Sequence, residues 1–161
     1  MINLKLICKV LGQLLFIEAF LMLWSLLVAV FYQQDDIFAF IVSVLATIGG
    51  GLLLKWKGNN ADNSMSRRDA YLVVTLSWII FSLFGTLPFL ISGYLNNFTD
   101  AYFETMSGFT TTGATIIDDV EALPHGLLFW RSLTQWIGGL GIVFFTIALL
   151  PSLVGGQTKV F

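Results

Sequence analysis

The stretch FTTTGATIIDD, from Phe109 to Asp119, is the least ordinary part of this chain. Three threonines, a glycine, an alanine and a further threonine, Thr110–Thr115, separate two strongly apolar regions, and we call them the threonine segment. Small polar residues of this kind are typical of turns and loops. Their role depends on whether the regions on either side cross a membrane.

The composition is that of a membrane protein. Of the 161 residues, 57% are hydrophobic and 11% are charged, whereas about a quarter of a soluble domain is charged. The chain therefore has too little polar surface to sit in water alone, which predicts an integral membrane protein. The single cysteine, Cys8, excludes an internal disulfide and a cysteine-rich metal site. The chain has no basic stretch that would indicate a nucleic acid partner.

Four segments are long and apolar enough to cross a bilayer as helices, which takes roughly 20 residues. They are about Leu11–Tyr32, Ile37–Leu54, Ala70–Gly93 and Gly126–Leu150. The first is longer than the apolar core of a cleaved signal peptide, about 7–15 residues, so we interpret it as a span. Within the third, Gly85 and Pro88 predict a kink, because proline cannot donate a helical hydrogen bond.

The basic residues predict the topology. If the four segments alternate in direction, all Lys and Arg residues outside them fall on one side: Lys5, Lys9, Lys55, Lys57, Arg67, Arg68 and Lys159. The opposite loops, Gln33–Asp36 and Tyr94–His125, contain acids but no Lys or Arg. The positive-inside rule therefore places both termini in the cytoplasm and the acidic loops outside.

A short apolar element, NFTDAYFETMSGF from Asn97 to Phe109, precedes the threonine segment. A helix from Thr99 to Phe109 would be roughly 16 Å long, about half of a membrane. Asp100 and Glu104 lie in its first half, where acids favour a helix N-terminus, and Gly108 lies near its end as an expected helix stop. The pattern predicts a half-helix that enters from outside and points its partly negative C-terminal end towards the membrane centre.

The threonine segment would then lie at membrane depth. Irregular backbone is tolerated there only inside protein or along a water-filled path. Gly113 permits a positive φ, so that neighbouring carbonyls can turn towards a common axis and replace a cation's hydration shell. We therefore predict a pore helix followed by a selectivity filter. The alternative is a plain external loop with threonine-rich turns. TTTGAT alone would fit such a loop, because Thr and Gly are common loop residues.

Two long motifs carry a family resemblance: AYFETMSGFTTTGAT, Ala101–Thr115, and LLFWRSLTQWIGGLGIVFFTIALLP, Leu127–Pro151. They closely resemble the first pore repeat of the Trk/Ktr/HKT superfamily of potassium transporters, especially its bacterial TrkH-type branch, whose extra N-terminal helix pair the first two spans resemble. The implied fold is an all-α integral membrane protein: four transmembrane helices, with a re-entrant pore helix and filter loop between the third and fourth. The implied organisation is an N-terminal helix pair at 1–58, a cytoplasmic connector at 59–69 and a first pore repeat at 70–161.

The resemblance also implies a function and a site. The function is K⁺ uptake across the bacterial cytoplasmic membrane, with K⁺ as the transported ion, no cofactor and no enzymatic activity. The backbone carbonyls that bind K⁺ would be those of Thr111, Thr112, Gly113 and Ala114. Thr110 and Thr115 would support them. Relative to the TVGYG filter of potassium channels, Ala114 replaces the aromatic residue, which leaves strict selectivity for K⁺ over Na⁺ open.

Two charged residues lie within predicted spans, where charge is costly and usually paired. We hypothesise that Arg131 pairs with Glu104 of the pore helix and holds the filter in place. The alternative is that Arg131 extends to the outer lipid headgroups. Glu18 is either a proton-coupling group or a packing residue that is hydrogen-bonded or protonated.

Three glycines in the fourth span, Gly138, Gly139 and Gly141, have two possible roles. They could form a hinge that gates the pore, or they could allow close helix packing. The single histidine, His125, gives a zinc site little support and is expected to mark the outer interface.

Family members of this type carry four pore repeats, and this sequence contains one. We expect either the N-terminal part of a longer transporter or a short protein that assembles as a homo-oligomer. The expected partners are membrane lipid, the other pore repeats and a cytosolic nucleotide-binding regulatory subunit. The rival function is a non-transporting membrane subunit that packs against or regulates a complete transporter. A membrane enzyme is disfavoured, because no nucleophile–base set, P-loop or dinucleotide fingerprint is present.

Overall fold

Six helices make up the regular structure in a computed structural model that describes residues 2–59, 61 and 66–154, with backbone alone at 67 and 144–154. They are α1 (Leu4–Tyr32), α2 (Ile37–Lys57), α3 (Arg67–Gly85), α4 (Leu87–Ser92), α5 (Phe98–Phe109) and α6 (His125–Val154). Within this part of the chain the fold is therefore all-helical, as the sequence predicts. The predicted connector at 59–69 lies partly outside the described residues, and Lys159 lies wholly outside them.

The first two helices form a hairpin. α1 begins at Leu4 rather than at the predicted Leu11, because the side chain of Asn3 accepts the N–H of Leu6 at 3.2 Å and caps an earlier turn. The hairpin is close-packed where Gly12 of α1 meets Gly51 of α2: a Cβ on Gly12 would lie 2.8 Å from the carbonyl oxygen of Gly51. Small residues at such a crossing let two backbones approach each other within a membrane.

The third predicted span contains two helices. α3 ends at Gly85 and α4 begins at Leu87, so the predicted kink lies at Thr86, whose backbone stays right-handed and whose N–H still donates to the carbonyl of Ser82 at 3.1 Å. Pro88 explains it, because its ring cannot donate to the carbonyl four residues earlier and clashes with it. The indole N–H of Trp130, on α6, donates to the carbonyl of Gly85 at 2.9 Å and so fixes the break against α6.

The short helix α5 packs between α3 and α6. Its first turn is capped by Asn97, whose side chain accepts the N–H of Thr99 at 3.1 Å. α5 ends at Phe109, as predicted, one residue after Gly108. Gly108 also faces Thr134 of α6, where a Cβ would overlap the threonine hydroxyl.

The main hydrophobic core lies where the α1–α2 hairpin, α4, α5 and α6 meet. Its buried members include Met22, Phe40, Phe89, Phe109 and Trp130. The rings of Phe109 and Trp130 meet edge to face with centroids 6.3 Å apart. The end of α5 is therefore anchored in the best-packed part of the molecule.

Three helical segments in the described residues are long and apolar enough to cross a membrane: Leu4–Tyr32, Ile37–Lys57 and Arg68–Ser92. Large apolar side chains such as Phe31, Phe38 and Trp56 project from them and are exposed. α6 has 30 residues. Its membrane crossing, like the re-entry of α5, stays a prediction from the sequence.

Glu18 lies inside α1 with only 2% of its surface exposed. Neither carboxyl oxygen has a hydrogen-bond partner among the described residues. Its Oε1 would lie 3.2 Å from a Cβ placed on Gly85, at the α3–α4 break. The hydrogen-bonded arrangement that the sequence allowed is thus absent from the described part of the chain, and Glu18 packs against a helix end.

Candidate functional site

Glu104, on α5, is the centre of the site. Its buried carboxylate accepts three hydrogen bonds: from Arg131 Nε at 2.5 Å, from Thr115 Oγ1 at 2.9 Å and from the N–H of Ile116 at 3.1 Å. Arg131 belongs to α6, Thr115 ends the threonine segment and Ile116 directly follows it. One carboxylate therefore joins the pore-helix candidate, the following long helix and the loop between them.

Arg131 forms an ion pair with Glu104, and 16% of its side-chain surface remains exposed. Charge-assisted hydrogen bonds of this kind are about twice as strong as neutral ones. The geometry is that of the paired arrangement rather than of a side chain extended to the headgroups. The role of this pair in holding a filter in place stays a prediction.

The threonine segment turns back from the end of α5 in an unusual backbone conformation. Thr111 has φ +56° and Gly113 has φ +75°, so two residues in this short stretch are left-handed. The N–H of Thr111 donates to the carbonyl of Gly108 and that of Thr112 donates to Ser107, both at 3.0 Å. A left-handed threonine is uncommon, and such conformations cluster at functional sites.

Most carbonyls of this segment have no hydrogen-bond partner in the described part of the chain. Those of Thr110, Thr111, Thr112 and Gly113 accept no hydrogen bond from the described residues. The side chains of Thr110 and Thr112 form a hydrogen bond with each other, with their hydroxyl oxygens 2.9 Å apart. All residues from Thr110 to Ile116 are exposed in the single chain. A row of unpaired carbonyl oxygens is able to coordinate a cation.

Ala114 differs from its neighbours. Its carbonyl accepts the hydroxyl of Ser107 at 2.6 Å. Sequence reasoning missed Ser107. The available signal was its place in the last turn of α5, where a serine hydroxyl can reach the returning chain.

The glycines of α6 are continuous with the helix, which runs from His125 to Val154 without a break. Gly138 faces the end of α5, and a Cβ there would overlap the carbonyl oxygen of Phe109. A Cβ on Gly139 would have Thr111 Cγ2 as its nearest neighbour at 4.0 Å, and one on Gly141 would meet Trp78 at 3.4 Å. Gly138 thus has a close-packing role, while a hinge at Gly139 or Gly141 stays a prediction.

The turn between α1 and α2 reaches the start of α6, a contact that the sequence did not reveal. The carboxylate of Asp36 accepts the N–H of Leu127 at 3.1 Å. The side-chain oxygen of Gln34 accepts the N–H of His125 at 2.7 Å, and the imidazole of His125 stacks on Tyr32 at 3.9 Å. The sequence offered one indication of this contact: Gln34 and Asp36 lie in a turn that is predicted on the same outer side of the membrane as the start of α6.

Asp36 predicts a pH dependence of stability. Burial raises the pKa of this carboxyl, although the N–H groups of Leu127 and Gly126 and its own N–H oppose the shift. Because the folded state then binds the proton more tightly than the unfolded state, the free energy of unfolding falls as pH rises from the ordinary aspartate value of about 4 through the raised value. We expect Asp36→Asn to remove this slope in thermal unfolding of the detergent-solubilised protein.

The matched control is Glu121→Gln, which removes an exposed acid from the same predicted outer side. It should leave the slope unchanged. An identical slope in the protein and in Asp36→Asn would show that Asp36 does not cause the dependence.

The chain resembles known proteins in both sequence and structure. A sequence profile of the TrkH family, described as a cation transport protein, matches residues 14–161. The Trk system potassium uptake protein TrkH of Halomonas elongata is 38% identical over 157 residues, covering 96% of this chain and 33% of the relative. The Trk system potassium uptake protein TrkG of Escherichia coli K12 is 36% identical over 162 residues, covering 99% of this chain and 33% of the relative.

A solved structure agrees in fold. The crystal structure of the potassium transporter TrkH from Vibrio parahaemolyticus matches with a TM-score of 0.86 and 35% identity, covering 96% of this chain and 34% of that chain. The chain therefore spans about a third of the length of the relatives that it matches.

Proposed function

Because this chain belongs to the TrkH family of cation transport proteins, we propose that it supplies one pore repeat for K⁺ uptake across a cytoplasmic membrane. The observation that carries the proposal is the row of unpaired carbonyls after α5. Carbonyls of Thr111, Thr112 and Gly113 take the place of water around a dehydrated K⁺ ion. The carbonyl of Ala114 joins them, oriented on one side by the hydroxyl of Ser107.

The electrostatics of the repeat favour a cation at this point. The C-terminal end of α5 carries the partly negative pole of the helix dipole and directly precedes Thr110. The exposed acids Asp118, Asp119 and Glu121 raise the local cation concentration at the outer mouth. The membrane potential then draws the ion inward at roughly 2.3 kcal/mol per charge per 100 mV.

The wider arrangement follows from the same proposal. Residues 1–58 form the N-terminal helix pair, 59–69 the cytoplasmic connector and 70–161 the pore repeat, in which α5 re-enters from outside and α6 crosses. Both termini lie in the cytoplasm. Since one repeat lines a quarter of a filter, further repeats come from a longer chain or from other copies. A cytosolic nucleotide-binding subunit is the proposed regulator.

A substitution at Gly113 tests the proposal. Within this chain a Cβ at Gly113 would meet no atom within 4 Å, so Gly113→Ala changes the backbone preference and not the packing. A left-handed alanine costs about 1–2 kcal/mol, so we expect the preference for K⁺ over Na⁺ to fall by about tenfold. The measurement is K⁺ and Na⁺ flux into liposomes containing the complete transporter.

Gly49→Ala is the matched control, because a Cβ at Gly49 in α2 also meets nothing within 4 Å and its φ is not positive. It should leave both fluxes unchanged. Normal flux and selectivity in Gly113→Ala would favour the rival function, a membrane subunit that accompanies a transporter without conducting. Flux from this 161-residue chain alone would show that copies of it assemble a filter.

A further inference from the structure

We propose that Asp36, in the turn between α1 and α2, is a positioning residue for the ion pathway. It caps the first turn of α6 and thereby sets the position of Arg131, which holds Glu104 and the threonine segment. This inference rests on the proposed function, because it concerns the geometry of the same filter. It gives the N-terminal helix pair, which contributes no residue to the filter, a direct part in ion selectivity.

The start of α6 requires outside acceptors. The first four N–H groups of a helix have no partner within it. Pro124, directly before α6, has no side-chain oxygen to offer. Asp36 Oδ2 accepts from Leu127 and Gln34 Oε1 accepts from His125, each across 91 residues of sequence. The α1–α2 turn therefore supplies the cap that helices usually take from their own flanking residue.

The contact is tight enough to fix α6 in position. Asp36 is fully buried, at 0% exposure. A Cβ on Gly126 would overlap the Asp36 carboxylate and would lie 2.8 Å from Ala29 Cβ in α1. Tyr32 and His125 stack at an interplanar angle of 6° beside it. The first turn of α6 can therefore neither slide nor rotate without breaking these contacts.

The position of α6 is passed on to the threonine segment through one side chain. Leu127 and Arg131 are four residues apart, so they lie on the same face of α6, one turn from each other. Arg131 pairs with Glu104, and Glu104 accepts from Thr115 and from the N–H of Ile116. The links from Arg131 onward are an ion pair and hydrogen bonds of 2.5–3.1 Å. A displaced α6 would consequently displace the end of the filter.

The test compares three variants in the complete transporter, in cells that lack their own K⁺ uptake. Asp36→Ala removes the acceptor, Asp36→Asn keeps a side-chain oxygen for Leu127, and Asp35→Ala alters the exposed neighbour in the same turn. For each we measure the amount of folded transporter, the KM for K⁺, the maximal rate and the K⁺ over Na⁺ preference.

We expect Asp36→Ala to raise the KM for K⁺ and lower the K⁺ preference about five- to tenfold per folded transporter. Asp36→Asn should recover most of both, and Asp35→Ala should match the unmodified protein. A residue that only stabilises the fold would lower the amount of transporter and leave KM and ion preference unchanged. That result for Asp36→Ala would overturn the proposal.

Two further variants keep the outcome interpretable. If Asp36→Ala does not fold, Gln34→Ala takes its place, because it removes the neighbouring cap at His125. We expect it to raise the KM for K⁺ by a smaller factor than Asp36→Ala. An unchanged KM would overturn the proposal. Gly113→Ala separates this inference from the proposed function. If ion preference changes in Gly113→Ala but not in Asp36→Ala, only the positioning role of Asp36 is contradicted. If ion preference does not change in Gly113→Ala, the proposed function itself is contradicted.

Discussion

Glu104→Ala is expected to reduce K⁺ uptake by more than a hundredfold per folded transporter. The substitution removes the acceptor for Arg131, for the hydroxyl of Thr115 and for the N–H of Ile116 at once. It also leaves the largely buried guanidinium of Arg131 unpaired, and breaking a buried pair in this way costs about 3–5 kcal/mol. Flux into liposomes, normalised to the monodisperse protein recovered, measures the effect.

Further variants separate the charge from the hydrogen bonds. Glu104→Gln keeps an oxygen for the threonine segment and should retain part of the uptake. Exchanging the two charges, Glu104→Arg with Arg131→Glu, rebuilds the ion pair but leaves no acceptor for Ile116, so uptake should stay low. Full recovery in the exchanged protein would show that the ion pair matters and the bonds to the threonine segment do not.

Gly138→Ala should be nearly as damaging, for a steric reason. The added Cβ would overlap the carbonyl oxygen of Phe109, which is backbone at the end of α5 and cannot move aside like a side chain. Overpacking of this kind costs typically about 1–3 kcal/mol. We expect a lower thermal stability in detergent and a strong loss of K⁺ uptake, because α6 would be pushed away from the residue that precedes the threonine segment.

The adjacent Gly139→Ala is the matched control. Its Cβ would have only an ordinary contact with Thr111, at 4.0 Å, so stability should be maintained. Normal stability with lost uptake in Gly139→Ala would instead favour the hinge. Unchanged stability and uptake in Gly138→Ala would contradict the close packing of α5 and α6.

Features that depend on local sequence could be predicted. Length and hydropathy place the α1–α2 hairpin, and Gly85 and Pro88 predict the kink between α3 and α4. The acids and the apolar face of Asn97–Phe109 locate α5 to within one residue. The start of α1 was placed too late, because a cap by Asn3 outweighs the polar character that Lys5 and Lys9 give to the first turns.

The links between distant segments could not be predicted in the same way. The pairing of Arg131 with Glu104 is one of two arrangements that the sequence allows. A single charge in a span shows that a compensating group is needed, but it does not show which residue provides it. The caps provided by Gln34 and Asp36 could not be recognised from neighbouring residues, because the N–H groups that they accept lie 91 residues further along the chain. The contact of Gly108 with Thr134 was equally hidden, because a glycine near a helix end can serve packing as well as termination.

The long-range cap also imposes an order on biogenesis. During synthesis Asp36 emerges 91 residues before Leu127, so its carboxylate has no partner on α6 while the first hairpin is being made. Contacts so far apart in sequence carry a loop-closure cost that is offset only once they form. The first hairpin of the chain therefore completes its contacts only after the last helix of the repeat has been made.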